Sequence, residues 1–423
     1  MIVFSEVFLS ELVGLPVVDR DDKRIGIVRD VLAQFGDQYP RVTGVVVKRP
    51  KDLPLGVVVI GDIDVIGRRM VLTRNPAEHI AIASLRQNDV LMARDIMDKQ
   101  IVDVDGARVV RVNDVKLARM EGEVRVIAAD VGILGMLRRL KLLPVVRVVA
   151  DFFRIPIPDR QIGWNYVELL EDETKRAAIS IPHSRIGELH PSDVAHIMSQ
   201  LASEKRQEIF AALPDRTAAE SLHELEPKIQ AYLLTTISSK KALALLDRMP
   251  VDEIADVLGD IPFDRSEELL RLMKPRKVAA VRKLLQHSDE SAGGLMTTDC
   301  IKFPEMMTAD QAIQKLRELA PSTETIYYLY VVDEEERLRG ILSLRNLIIS
   351  APDTLIRDIM KKHLITVTAD VSQRKVADVI SKYNLLAIPV VDAENRIQGI
   401  ITVDDVMDYI LPPISRRKRE MLG

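Results

Sequence analysis

Cys300 is the only cysteine in 423 residues, so no disulfide can close within the chain and no multi-thiolate zinc site can be built from it. Such a chain suits a reducing cytosol. Aromatics make up only 4%, poor material for stacking bases. The balance of 59 basic against 63 acidic residues gives no global pull toward polyanions, so nucleic acid is not a favoured partner. No apolar run approaches the roughly 18 residues of a membrane-spanning helix. The longest, such as LLPVVRVVA at 142–150, are short and broken by Pro or Arg. The start, MIVFSEVFLSELVG, carries Glu6 and Glu11 and has neither a basic leader region nor a small-residue cleavage site, so it reads as folded chain. The seven histidines form no metal set, since His190 and His196 do not share a helix face. With no P-loop, no Gly-rich strand-helix turn and no Ser/His/Asp set, catalysis has no candidate residues, and the chain reads as a non-enzyme.

What the sequence does have is repetition, in three styles. VVDRDDKRIGIVRDV (17–31) lies on IVDVDGARVVRVNDV (101–115) at an offset of 84, pairing Asp19 with Asp103, Arg24 with Arg108 and Asp30-Val31 with Asp114-Val115. Apolar alternation around an Asp-rich or Asp-Gly turn predicts half-buried hairpins and two small β units. LVGLPVVDRDDKRIGIVRDV and PRVTGVVV resemble the PRC-barrel family over about the first 165 residues, although the second copy has Val110 where the first has Gly26. The resemblance implies a small β-barrel that serves for docking.

The second style is helical. Pro191, Pro214, Pro227, Pro250, Pro262 and Pro275 are spaced by 23, 13, 23, 12 and 13 residues. A unit of about twelve residues fits if the starts at ASEKRQEIF and SSKKALALL lack Pro, because proline is favoured where a helix begins. Such short helices cannot bury their apolar stripes alone and are expected to stack into an α-solenoid over 185–287.

In the third style, YVVDEEERLRGILSLRNL (330–347) aligns without a gap on PVVDAENRIQGIITVDDV (389–406). Each copy reads as strand, polar turn, strand, then a helix after Ser343 or Thr402. A hydroxyl N-cap and a first-turn acid suit a nucleotide, the helix end and hydroxyl favouring phosphate and the carboxylate accepting ribose hydroxyls. The repeat is identified as a tandem CBS pair. Gly399-x-Ile401-Thr402-x-x-Asp405 matches that family's ribose-phosphate motif, and Ile388, Pro389 and Val390 stand where the family lines its adenine cleft. The first copy has Asn346 at the ribose position and bulky Tyr328 and Tyr330. The resemblance therefore implies one adenine nucleotide, such as ATP, in the second copy. The alternative is that Thr402 only caps its helix and Asp405 only answers the helix dipole.

A solenoid leading through LLQHSDESAGGLMT (284–297) into a CBS pair resembles the cytosolic half of MgtE-type magnesium channels over 185–411. Those channels run on into a membrane domain, whereas this chain ends after SRRKREMLG, and the doubled β front is unusual among them. The resemblance implies Mg2+ held between acidic surfaces of the helical and CBS domains. Asp252, Asp256 and Asp260 recur every four residues with Glu253 beside them, a spacing at which like charges repel unless a cation intervenes. Across the junction the candidates are Asp299, Glu305, Asp310 and the DEEE turn that begins at Asp333. A solvated acidic face is the ordinary alternative.

The expected fold is multidomain α+β: tandem small β-barrel-like (PRC-like) units at 1–88 and 89–178, an α-solenoid of short helices at 179–290, an α/β CBS pair at 291–350 and 351–412, and a basic tail at 413–423. Arg416, Arg417, Lys418 and Arg419 in that tail suit anionic lipid or an acidic partner, and otherwise read as a solvated end. MLRRLKLLPVVRVV (136–149) has an apolar stripe with cationic flanks, but Pro144 is expected to break it and its valines to favour a strand. The leading reading is a cytoplasmic regulatory protein, peripheral to the membrane at most and homodimeric through its CBS pair, which senses Mg2+ or another divalent cation and controls a separately encoded transporter. The alternatives are an adenine-nucleotide-sensing scaffold without a cation role and an RNA- or ribosome-associated factor.

Overall fold

Alternating apolar residues around Asp-rich turns form antiparallel hairpins, as their period of two requires. The computed structural model describes residues 6–49, 55–67, 69–79, 82–83, 90–153, 156–170, 185–319 and 328–410. The basic tail falls outside these residues. Contacts divide the chain into two units, Met1–Lys205 and Arg206–Gly423.

In the first unit, Pro16–Val18 pairs with β1 (Arg24–Gln34), and Gln100–Asp103 pairs with Arg108–Arg111. The aligned aspartates organise the two turns. Asp19 accepts the N–H groups of Asp21, Lys23 and Ala77 at 2.8–3.0 Å, and Asp103 accepts the Gly106 N–H and pairs with Arg108. β1 pairs with β2 (Arg41–Lys48), β3 (Asp114–Met120) pairs with β4 (Glu123–Asp130), and the two hairpins meet where Arg125 pairs with Arg41. Gly26 lets β1 run straight past β2, because a Cβ there would strike the Lys48 carbonyl and Val47. The second copy breaks the equivalent strand into Arg108–Arg111 and β3, and at that point Val110 is tolerated.

The copies are not beads on a string. Leu9, Val28, Val45, Ile101, Val115, Val126 and Trp164 belong to one core. The duplication also closes on itself. Asp30 accepts the N–H groups of Ala93 and Arg94 in the helical turn Met92–Ile96 at 2.7 and 3.1 Å, while Asp114 accepts that of Ser10 in α1 (Leu9–Leu12) at 3.1 Å. Ser10 and Arg94 are themselves 84 residues apart. Each copy therefore caps the leading turn of the other, using a carboxylate where a helix start needs an acceptor.

After β4 come α2 (Ile133–Arg139) and α3 (Leu143–Phe153). The segment expected to favour a strand is helical. Pro144 sits in the first turn of α3, where its missing N–H costs nothing, so it starts the helix and does not break it.

The proline rhythm is a helix rhythm. α4 (Pro191–Gln200) closes the first unit, and α5 (Ser203–Ala212) carries the chain into the second. There follow α6 (Asp215–His223), α7 (Pro227–Thr236), α8 (Ser239–Leu246), α9 (Val251–Asp260), α10 (Phe263–Leu272) and α11 (Pro275–Leu284). Pro191, Pro227 and Pro275 occupy the first helical position, and Pro214, Pro250 and Pro262 stand one residue before it. α8, which lacks a proline, is capped by the Ser238 hydroxyl. From α6 on, each helix packs on the next but one, burying Leu222, Leu233, Leu245, Ile254, Leu269 and Val281.

The CBS pair begins with α12 (Ala292–Leu295) and repeats a three-strand pattern. In the first copy β5 (Lys302–Pro304) runs parallel to β6 (Tyr328–Val332), which is antiparallel to β7 (Leu338–Ser343). In the second, Val367 bridges parallel to β8 (Ala387–Val391), which is antiparallel to β9 (Ile397–Thr402). Helices α13 (Ala309–Leu319), α14 (Leu344–Ile349), α15 (Ile356–Ile359), α16 (Gln373–Tyr383) and α17 (Val403–Ile410) pack around these sheets. The motif glycines permit the exchange that joins the copies. Thr297 bridges to Ile400 beside Gly399, and Lys361 bridges to Ile341 beside Gly340. A Cβ on Gly399 would lie 2.5 Å from the Thr297 carbonyl, and one on Gly340 would strike Met360. Tyr330 fills the seam between copies, packed with Val391, Ile397 and Ile400. Among the described residues no helix is long and apolar enough to cross a membrane.

Candidate functional site

The acidic stripe of α9 faces the start of the CBS pair. Asp252 is half-buried, and its Oδ1 atom is fully buried without a hydrogen-bond partner among the described residues. Burial pushes its pKa up, the Asp299 charge adds to the push, and Thr297 and His223 oppose it. Thr297 also ties the two acids together, because its hydroxyl oxygen accepts the Asp299 N–H at 3.3 Å. Asp299 is itself raised by burial, with Lys277 and Arg276 opposing. Lys277 reaches this place by capping α8, donating to the carbonyls of Leu246, Asp247 and Met249 at 2.8–3.1 Å.

Asp256, one turn further along α9, is pushed up to about 7, first by desolvation and then by the charges of Asp252 and Asp289. It is exposed on its helix, so water moderates the dryness of the site. The direction of the shift rests on the crowding of carboxylates. Asp260 adds to the same field, and Glu253 pairs with His223 at 3.4 Å.

Of the acids expected across the junction, only Asp299 joins this group. Glu305 follows β5, where its carbonyl accepts the Arg357 N–H. Asp310 opens α13 and accepts from Gln314 at 2.8 Å. Asp333 organises its own turn, accepting the N–H groups of Glu335 and Arg337 and pairing with Arg339. Asp289 and His223 were missed by sequence reasoning. Asp289 lies in the joining segment and His223 ends α6, so linear spacing carried no signal for either. Among the described residues no three His, Cys, Asp or Glu side chains converge closely enough to enclose a metal ion directly.

In the second CBS copy, Thr402 and Asp405 form one unit. Asp405 Oδ2 accepts both the N–H and the hydroxyl of Thr402, at 2.8 and 2.7 Å. Both bonds run from Thr402 to the one carboxylate, which fixes the start of α17. Ile388, Pro389 and Val390 form a buried wall along β8. In the first copy Ser343 caps α14 by accepting the Asn346 N–H, and the Tyr330 hydroxyl is buried without a partner among the described residues.

Comparison with known proteins accounts for this order of parts. Residues 189–290 match the MgtE intracellular N domain, 292–352 and 356–412 match the CBS domain, and 4–79 match the PRC-barrel domain. The magnesium transporter MgtE of Thermus thermophilus is 37% identical over 255 residues, 60% of this chain and 56% of the relative. That of Bacillus subtilis is 34% identical over 228 residues, 54% of this chain and 51% of the relative. The chain thus spans about half the length of the curated relatives it matches. The crystal structure of the cytosolic domain of the Mg2+ channel MgtE in complex with ATP superposes with a TM-score of 0.52 at 38% identity, covering 54% of this chain and 93% of that one. The soluble part of a magnesium transporter does so with a TM-score of 0.50 at 32% identity, covering 54% of this chain and 90% of that one. The matched families are regulatory and transport-associated domains. Over residues 189–412 the chain belongs to the family of MgtE cytosolic domains, an MgtE intracellular N domain joined to a CBS pair, with a PRC-barrel domain ahead of it.

Proposed function

We propose that the chain is a regulatory sensor that holds Mg2+ between α9 and the head of the CBS pair, takes an adenine nucleotide in the second CBS copy, and thereby controls a divalent-cation transporter. The observation that carries this reading is the buried Oδ1 of Asp252, without a hydrogen-bond partner among the described residues and set among the raised carboxylates of Asp256 and Asp299. An acceptor left dry beside other anions costs free energy that a cation would recover. Because the acids do not close into a direct cage, the ion would keep part of its water shell, as Mg2+ does. Two relatives of this fold are a Mg2+ channel domain solved with ATP and the soluble part of a magnesium transporter, which supports the choice of both ligands.

Thr402 and Asp405 would hold the nucleotide by giving up the hydrogen bond between their side chains, the hydroxyl turning to phosphate and the carboxylate to ribose. Calorimetric titration of the full chain with MgCl2 and with ATP tests the two sites separately. Mg2+ binding is expected at millimolar concentration and is lost in Asp252→Asn/Asp256→Asn. ATP binding is expected to weaken about tenfold to a hundredfold in Asp405→Asn, the worth of a charged hydrogen bond. Mg2+ heat that survives the double substitution would dismiss the cation site. ATP affinity unchanged by Asp405→Asn would dismiss the nucleotide site.

The CBS pair also leaves Ile348, Ile349, Met407 and Ile410 exposed on its helices and Leu386 exposed ahead of β8. This apolar set suits a homodimer, in which two CBS pairs cover each other's exposed faces. Light scattering is expected to give twice the chain mass. A monomer at micromolar concentration would contradict this assignment.

A further inference from the structure

The most exposed apolar surface of the first unit lies on α2 and α3. Phe152 is 82% exposed and Val148 70%, and Leu142, Val145, Val149 and Phe153 are exposed beside them. Of the side chains described on α3, only Ala150 is buried. At about 100° per residue these apolar positions cover an arc of roughly 140°, with Arg147 opposite. α2 adds Ile133 and Met136, and Leu140 follows it.

The breadth of the arc selects the occupant. A partner helix covers one stripe of about 100°, narrower than the arc on this 11-residue helix even before the exposed apolar residues of α2 are added. A bilayer boundary covers a broad arc at once, because the helix sinks into it lengthwise. Charge points the same way. Residues 133–153 carry Arg138, Arg139, Lys141 and Arg147 against the single acid Asp151. Arg138 and Arg139 are held by the barrel's own aspartates. Lys141 and Arg147 are exposed, and neither meets an acid among the described residues. Arg147 stands on the polar side of α3 and Lys141 just before its start, where the basic residues of an in-plane helix meet anionic headgroups. Arg138 fixes α2 to the barrel, and α3 follows it in the chain.

We infer that the α2–α3 face rests on an anionic phospholipid surface, with Val148, Phe152 and their neighbours in the acyl boundary and Lys141 and Arg147 among the headgroups. The mode is in-plane, since α3 is about 16 Å long and too short to span.

Flotation of the full chain with vesicles tests this. Binding is expected to vesicles of phosphatidylcholine with phosphatidylglycerol, and added salt is expected to weaken it. Val148→Glu/Phe152→Glu is expected to lose on the order of a hundredfold. Lys141→Glu/Arg147→Glu is expected to lose roughly tenfold or more on the anionic vesicles. Both pairs are exposed, so the emission of buried Trp164 stays unchanged and shows that the barrel is intact. The inference is overturned if the parent does not float with these vesicles, if the Val148/Phe152 variant floats as well as the parent, or if that face instead drives self-association that the same variant abolishes.

Discussion

Without Mg2+, small-angle scattering is expected to show a compact second unit near pH 6 and an expanded one near pH 8, and millimolar Mg2+ is expected to recompact the pH 8 sample. The groups concerned are Asp252, Asp256 and Asp260 on α9, Asp289 in the joining segment and Asp299 at the head of the CBS pair, opposed by His223 and Lys277. The ordinary value for Asp256 is 3.8, and in the closed arrangement it is pushed up to about 7. A carboxyl raised in this way binds its proton more tightly closed than open. From about pH 4 the closed form therefore loses stability as pH rises, and by a little above pH 7 the full repulsion is present. Mg2+ replaces the proton, so its binding at pH 7 releases protons and its compacting effect is small at pH 6. The effect on any partner is bounded by the difference in cation affinity between the two forms. Asp252→Asn/Asp256→Asn imitates the protonated state and is expected to be compact at both pH values and indifferent to Mg2+. A chain that expands with pH regardless of the double substitution would remove α9 from the account.

The parts of this molecule that local chemistry dictates could be read from the sequence. The paired hairpins follow from Asp19 and Asp103 because an Asx turn needs only its own few residues. The solenoid follows from its prolines because a helix start is a local event. The stripe at Asp252 and Asp256 could be read for the same reason, as a matter of helix periodicity. Illegible features depend on what the chain meets later. Nothing near Asp30 announces that it caps a turn at Ala93, or near Asp114 that it caps Ser10. The acids at Asp310 and Asp333 looked like Asp299 in sequence, but their carboxylates serve their own helix start and turn. The α3 segment misled for a different reason. β-branched residues favour strands only where a neighbouring strand accepts them, and Leu143–Phe153 has none. With its proline in the first turn, the segment satisfies its own hydrogen bonds as a helix and leaves its apolar face outward.

Replacing Arg138 by Met is expected to destabilise the first unit by about 3–5 kcal/mol, the cost of stripping one partner from a buried ion pair. Arg138 Nη1 donates to Asp114 Oδ2 at 3.0 Å and to Asp130 Oδ2 at 3.2 Å, and both carboxylates are wholly buried. Its guanidinium also lies 3.3 Å from the centre of the Phe8 ring. Asp114 has further donors in the Ser10 hydroxyl and N–H, and Asp130 has the Gly132 N–H. Asp130 is nevertheless raised by burial while Arg138 is present, and losing the cation raises it further. The sign of the pH dependence follows. Above that raised value the folded variant must hold a buried charge or take up a proton, so its deficit is largest near pH 8. It shrinks as pH falls toward the ordinary carboxylate range, where the proton is bound in both states. Trp164 is the only tryptophan of the chain and is 5% exposed in the barrel core, so urea unfolding followed by its emission reports this unit alone. Arg138→Met/Asp130→Asn removes one stranded charge and is expected to recover about half of the loss. Arg138→Lys keeps the charge without the guanidinium plane that lies on the Phe8 ring, and falls between. A pH-independent deficit under about 1 kcal/mol would mean that the barrel neutralises these aspartates through its backbone donors, and that α2 is held by packing alone.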